Sequence, residues 1–279
     1  EFNFYNRQSL MLDMHIKLTT KQSKKIGLDI LVAFDKFCKE HNLKYYLVYG
    51  TLLGAVRHHG YIPWDDDVDV AMFREDYEKL NKLINKKISV REDLAWFSSR
   101  LGNWNEPLLK LVNLNTECYE RGGSSVGVWI DVFVLDNYDK KIHDTNDFWR
   151  KVHIAKCTHH FDLSKKGIVK LIFKCLFFWK SLVRIAQEMD DRIKNISYTG
   201  KFSVLQWPDK DVNDISVYEP AAELSFEGHQ FCVPGKYTDY LLNQYGSTYM
   251  ELPPEKDRQT HGIEPYWIGT KEEFDKLGL

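Results

Sequence analysis

No stretch of about 20 uncharged apolar residues occurs in the 279-residue sequence, so no membrane-spanning helix is encoded in it. It also lacks a basic, apolar, small-residue leader of the kind that directs secretion. The five cysteines, Cys38, Cys118, Cys157, Cys175 and Cys232, are odd in number and form no CxxC pair. That pattern argues against a disulfide framework and for reduced thiols in a reducing compartment. An excess of one charge is missing too, with 38 Lys+Arg against 40 Asp+Glu and a formal net charge of -2. No whole-chain field favours a nucleic-acid partner, and any phosphate binding must be local. Repeats and low-complexity tracts are absent. The expectation is a cytoplasmic protein; the sequence opens on Glu1-Phe2, which leaves an upstream anchor open. What the chain does have is 43% apolar and 14% aromatic residues, enough for a substantial core.

Hydrophobic periodicity orders the chain. Between Thr20 and His41, residues Ile26, Leu28, Ile30, Leu31, Phe34, Phe37 and Cys38 recur at helical spacing, ahead of a strand-like "KYYLVYG". Gly50 is expected to end that strand, and "TLLGAVRHH" to begin a short helix whose first N–H groups face outward as an anion site. "GYIPW" reads as a loop, "VDVAMF" as a strand and "REDYEKLNKLINKK" as a surface helix. "PLLKLVNL", "TECYE" and "VGVWIDVFVLD" read as further strands, the last interrupted by a single acid, Asp131. Residues 139–200 turn helical, basic and aromatic, and 201–279 combine a hairpin-like piece, a helix and a Pro-rich loop. The expected fold is α/β (α+β), a mixed sheet flanked by helices. Residues 1–138 form its core, 139–200 a helical insertion or subdomain, and 201–279 a segment that completes the core.

Asp65, Asp66, Asp67 and Asp69 crowd together before an apolar run. Carboxylates so close repel one another unless something positive sits between them. On a strand, residues i and i+2 share a face, so Asp67 and Asp69 are expected side by side. Oxygen donors with no Cys or His set favour Mg²⁺ or Mn²⁺ over zinc. Asp131 is the best placed third ligand, while Asp65 and Asp66 suit capping or outer-sphere work as well as catalysis.

"YGTLLGAVRHHGYIPWDDDVDVAM" resembles the signature of LicD-type phosphocholine transferases, the group that includes the fukutin-related phosphosugar transferases. "GVWIDVFVLD" and "YLLNQYGSTYMELPPEKDRQTH" are similar to the middle and C-terminal blocks of that family. The resemblance implies a nucleotidyltransferase-like superfold, onto which Gly50-Thr51, the Asp67/Asp69 pair and Asp131 match position by position. It implies transfer of a phospho-alcohol from CDP-choline or another CDP-alcohol to a glycan hydroxyl, lipid-linked or not, with release of CMP. Asp67, Asp69 and Asp131 would hold Mg²⁺ or Mn²⁺, Gly50 and Thr51 would cradle phosphate, and Arg57 would grip a phosphate oxygen. His58 and His59 would assist or merely pack, and Lys110 is either a snorkelling edge residue or a phosphate ligand. The base for the acceptor hydroxyl is Asp66 or Asp69. His261, with Lys256 and Arg258, would close over the nucleotide or form an ordinary loop. Tyr61, Trp64, Trp104 or Trp129 could cage a quaternary ammonium. The rival reading is a true nucleotidyltransferase that takes an NMP from an NTP and releases pyrophosphate.

Two weaker signals remain. His153 and Cys157 stand at i and i+4, with His159 and His160 nearby, but at no firm zinc spacing. In the segment 166–187, Lys166, Lys170, Lys174, Lys180 and Arg184 fall on one stripe and leave a wide apolar face. It reads first as a buried helix with one wet stripe, and second as a peripheral contact with the inner face of the membrane.

Overall fold

The apolar run around Asp131 becomes the axis of the molecule. A computed structural model describes residues 15–119, 125–158, 164–206, 211–258, 260 and 262–279. The elements run β1 (Ile16–Lys17), α1 (Thr20–Glu40), β2 (Tyr46–Leu47), α2 (Tyr49–His58), β3 (Asp69–Phe73) and α3 (Arg74–Asn85). Next come β4 (Leu94–Ser98), β5 (Leu109–Asn113), β6 (Thr116–Tyr119), β7 (Ser125–Val126) and β8 (Trp129–Asn137). Three helices follow, α4 (Lys140–Cys157), α5 (Lys165–Leu176) and α6 (Leu182–Ile193). The chain then adds β9 (Lys201–Ser203), β10 (Asn213–Asp214), α7 (Ile215–Tyr218), β11 (Ala222–Phe226) and β12 (His229–Val233). Helix α8 (Tyr237–Tyr245), β13 (Glu264–Trp267) and α9 (Lys271–Lys276) complete it.

Strand β8 has neighbours on both sides. Along one it runs parallel to β3, with Asp131 opposite Asp69; along the other it runs antiparallel to β5, with Asp131 opposite Lys110, and then to β9. Strands β2 and β4 extend the two flanks. Helices α1 and α3 also pack on it, so β8 is buried from Trp129 to Asp136, which is why it reads as an apolar run broken by Asp131 and closed by Asp136. Helix α1 packs on β5 and β8 through Ile26, Ile30, Leu31, Phe34, Phe37 and Cys38, the stripe expected from its spacing. Its start is fixed by a capping box between Thr19 and Gln22. Strand β6 belongs to a second, antiparallel sheet with β1, β13 and β7.

Two local departures have physical causes. The chain leaves β2 for α2 at Tyr49, not Gly50, and Tyr49 takes a left-handed φ of 48°. Its ring packs edge-on against Phe133 and its hydroxyl donates to Asp211 Oδ2 at 2.7 Å, contacts that offset the cost of that conformation. The segment 166–187 is not one buried helix. It breaks after Leu176 and restarts where Ser181 caps α6, accepting from the Arg184 N–H, and α5 buries only Gly167.

Helices α4 to α6 share a small apolar centre of Val152, Ile185, Met189, Ile193 and Leu205. An ionic network joins them to the sheet. Arg74 donates to Asp136 at 2.6 and 2.7 Å and meets Asp190 of α6 at 2.9 Å; Arg100 reaches Asp190 and Glu78. Burial works against the charge on Arg74, but its bonds to Asp136 and Asp190 outweigh that and hold its pKa above the usual value. Removing one member strands buried charge, so Arg74→Ala is expected to cost about 3–5 kcal/mol in urea unfolding. Lys79→Ala, at an exposed pair with Glu75, is expected to cost less than about 1 kcal/mol in the same measurement.

Candidate active site

Register places Asp69, Asp131 and Lys110 in one row across β3, β8 and β5, and residues paired in this way point to the same face of the sheet. Lys110 Nζ donates to Asp131 Oδ1 at 2.7 Å, and Trp129 Nε1 donates to Asp131 Oδ2 at 2.9 Å. The Lys110 ammonium also lies 4.1 Å from the Trp129 ring centroid and 5.3 Å from that of Trp104. Because β5 sits between β4 and β8, Lys110 is buried and does not snorkel from an edge. Asp69 is raised well above the ordinary carboxylate value, first by burial and then by the charges of Asp67, Asp131 and Asp65, with Lys110 opposing.

The start of α2 is built around the same row. The Asp69 N–H donates to Thr51 Oγ1 at 2.9 Å, so Thr51 positions the first residue of β3. A Cβ on Gly50 would fall 2.3 Å from Asp65 Oδ2. The helix start expected to receive an outside anion therefore already has a protein carboxylate against it. Further along α2, a Cβ on Gly54 would meet the Gly60 carbonyl at 2.4 Å, which is why the following loop can fold back so tightly. Lys24 of α1 pins that loop by donating to the carbonyls of Ile62 and Pro63 at 2.9 and 3.0 Å. Strand β3 begins at Asp69, so Asp67 lies in the approach to the strand, not within it. Asp66 and Asp67 line a cleft of 410 Å³, mouth included, together with Trp129, Cys118, Ile263 and Pro265.

Other expected residues are placed differently. Arg57 is engaged by the protein itself: Nη1 donates to the carbonyls of Tyr249 and Glu251 at 2.9 and 3.0 Å, and Nε donates to His58 Nε2 at 3.0 Å. Burial, then Arg57 and Lys24, lower the pKa of His58, which keeps it a neutral acceptor. Each aromatic ring proposed for a cage already has a cation over it: Lys110 for Trp104 and Trp129, Lys24 for Tyr61, and Arg258 for Trp64. Arg258 thus brings the C-terminal block beside the acid loop, while His261 lies outside the described residues. His153 Nε2 bonds the Asn105 carbonyl at 2.6 Å, Cys157 Sγ stands 3.8 Å from His153 Nδ1, and His159 and His160 also lie outside the described residues.

Two residues escaped the sequence reading. Tyr245 of α8 is 40% exposed as a whole, yet desolvation of its hydroxyl and then the charges of Asp69, Asp65 and Asp67 raise its pKa, which sets its phenol beside the acid cluster. The signal was the block "YLLNQYGSTY", of which it is the central tyrosine. Asp211 is buried, accepts from Tyr49 and, at 3.2 Å, from Asn213 Nδ2, and its pKa is pushed up to about 7 by burial. No local spacing marked it.

Among the described residues, no three His, Cys, Asp or Glu side chains group closely enough to hold a metal ion. Both oxygens of Asp131 are already bonded, one by Lys110 and one by Trp129. The donor chemistry nevertheless fits a hard dication at Asp67 and Asp69. The charges of Asp67, Asp131 and Asp65 all act on Asp69 with Lys110 opposing, and Mg²⁺ commonly takes one or two carboxylates, leaving its other positions to substrate phosphate and water.

Residues 42–171 match the family described as LicD/FKTN/FKRP, nucleotidyltransferase domain. That span contains Gly50, Thr51, the four clustered aspartates, Lys110 and Asp131. The lipopolysaccharide cholinephosphotransferase LicD of Haemophilus influenzae is 29% identical over 263 residues, covering 90% of this chain and 99% of the relative. Shorter matches join the chain to two uncharacterized rickettsial proteins. RP689 of Rickettsia prowazekii is 49% identical over 45 residues, 16% of this chain and 17% of that protein. RT0683 of Rickettsia typhi is 57% identical over 37 residues, 13% of this chain and 12% of that protein.

The buried Asp211 yields a pH prediction. Its folded pKa of about 7 exceeds the ordinary carboxyl value of 3.8, so between those values the folded state binds the extra proton and stability falls as pH rises. The full effect, reached above the folded pKa, is roughly 4 kcal/mol at about 1.4 kcal/mol per unit. Asp211→Asn, which keeps the shape and removes the ionisation, is expected to flatten the decline in urea-unfolding free energy between pH 5 and 8 relative to the parent.

Proposed function

This chain belongs to the LicD-type family, and on that premise we propose that it is a transferase moving phosphocholine, or a related phospho-alcohol, from a CDP-activated donor to a glycan hydroxyl with release of CMP. The observation that carries the reading is the row Asp69, Asp131, Lys110 beside a cleft walled by Asp66 and Asp67. It combines carboxylates suited to a cation with a fixed ammonium suited to an anion, as cleavage of a diphosphate requires. The named activity of the Haemophilus influenzae relative, on lipopolysaccharide, supports phosphocholine as the group and a glycan as the acceptor. We place the enzyme in the cytoplasm, at the inner face of the membrane, acting on a lipid-linked precursor.

Asp67 and Asp69, with Asp131 behind them, would hold Mg²⁺ or Mn²⁺, which when bound neutralises charge on the donor diphosphate and on the departing CMP. The protein's own part is positional. Thr51 fixes the backbone of Asp69 through its hydroxyl, and Lys110 and Trp129 fix both oxygens of Asp131, so the acids do not reorganise when charge shifts during transfer. Asp66, on the cleft wall, takes the proton of the acceptor hydroxyl. Arg57, through its bonds to the Tyr249 and Glu251 carbonyls, ties the segment after α8 to α2.

Incubation with CDP-choline, Mg²⁺ and a glycan acceptor is expected to release CMP and transfer labelled choline. Asp67→Ala and Lys110→Met are each expected to lower that rate about 10²-fold or more, and Asp67→Ala to weaken Mn²⁺ binding in a titration. Pyrophosphate released from an NTP, with CDP-choline untouched, would replace this reading with the nucleotidyltransferase one.

A further inference from the structure

Helix α5 is turned inside out relative to an ordinary surface helix. Ile168, Val169, Leu171, Ile172 and Leu176, with Phe178 and Trp179 in the turn after it, are exposed by 43–76%. Two of its four lysines are drawn toward the protein: Lys170 and Lys174 are half-buried, and Lys174 donates to the Thr158 carbonyl of α4, while Lys165 and Lys166 are exposed at the helix start. The turn is held rigidly. Phe177 packs inward against Trp149, and Lys156 donates to the Phe177 carbonyl at 2.9 Å, which leaves Phe178 and Trp179 projecting. Phe148 of α4, itself exposed, joins the patch through ring contacts with Phe173 and Phe177. A contiguous apolar surface of this kind marks a docking site.

The charge pattern identifies the occupant. Residues 164–187 carry five lysines and one arginine and no acid; Lys180 and Arg184 pair with Glu188 of α6, while Lys165 and Lys166 stand exposed at the start of α5. A two-fold contact with a second copy would set those like charges against each other. An anionic bilayer surface meets both features at once, because apolar side chains enter the headgroup boundary while the exposed Lys165 and Lys166 at the helix start reach out to phosphates. Phe178 and Trp179 stand where interfacial aromatic anchors stand. Among the described residues no helix is long and apolar enough to cross a membrane, so the contact is one of lying on the surface.

We propose that α5 and the turn 177–180 form a dock that holds the protein on anionic lipid bilayers. This rests on α5 alone and is independent of the transfer chemistry. The test is co-sedimentation of the full chain with phosphatidylcholine vesicles containing or lacking 30% phosphatidylglycerol. Binding to the anionic vesicles is expected, weakened at least tenfold by the double change Ile172→Glu and Phe178→Glu and also by 0.5 M NaCl, with CMP release from soluble substrates unchanged. Both changes lie on exposed positions, and an unaltered circular dichroism melt will show that the variant folds. No binding by the parent, undiminished binding by the variant, or a dimer that the same variant dissolves without any vesicle binding would each overturn the proposal.

Discussion

The buried Lys110–Asp131 pair is the constraint around which the rest of the structure is arranged. Taking two such charges out of water costs several kcal/mol for each, and their attraction recovers that only with good geometry and satisfied hydrogen bonds. The protein supplies both: a 2.7 Å bond set by strand register, a second donor from Trp129, and two indole faces over the ammonium. An apolar pair would serve stability as well or better, so an ion pair in the central row points to use, not to holding the sheet together. Its location reinforces this, since the next residue in that row is Asp69, whose carboxyl burial and neighbouring acids raise well above its ordinary value.

The cluster looks like a liability when viewed as stability alone. Burial and three neighbouring carboxylates push Asp69 toward its protonated form, while Thr51 and Lys24 hold the backbone that keeps those groups together. Loop and strand are thus fastened from outside the acid set, and Lys110 is the charge that opposes the other acids at Asp69. Groups held in place beforehand need not reorganise when a ligand binds.

Much of this was legible in the sequence, for reasons that differ between elements. The α1 stripe, the apolar run of β8 and the acid at Asp131 were readable because period and burial leave their mark on consecutive residues. The i, i+2 relation of Asp67 and Asp69 gave the right neighbourhood but the wrong support, because β3 starts only at Asp69. Lys110 looked like an edge residue because nothing local reveals that β4 and β8 enclose β5; that is fixed by chain far from it. Arg57, expected to face a phosphate, is held by carbonyls nearly two hundred positions away, and Tyr245 and Asp211 likewise acquire meaning only through long-range contacts. The orientation of α5 was misread because a helix that is apolar through most of its circumference gives no clue to which side faces outward.

The clasp of Arg57 on the carbonyls of Tyr249 and Glu251 also bears on synthesis. It joins the first motif to a segment synthesised 192 residues later, and β13 likewise pairs with the much earlier β1 and β6. Contacts of such wide sequence separation are slow to form and come late. The nascent chain therefore carries its charged cluster before it can enclose it, and translation timing, not affinity, decides when the pocket first exists.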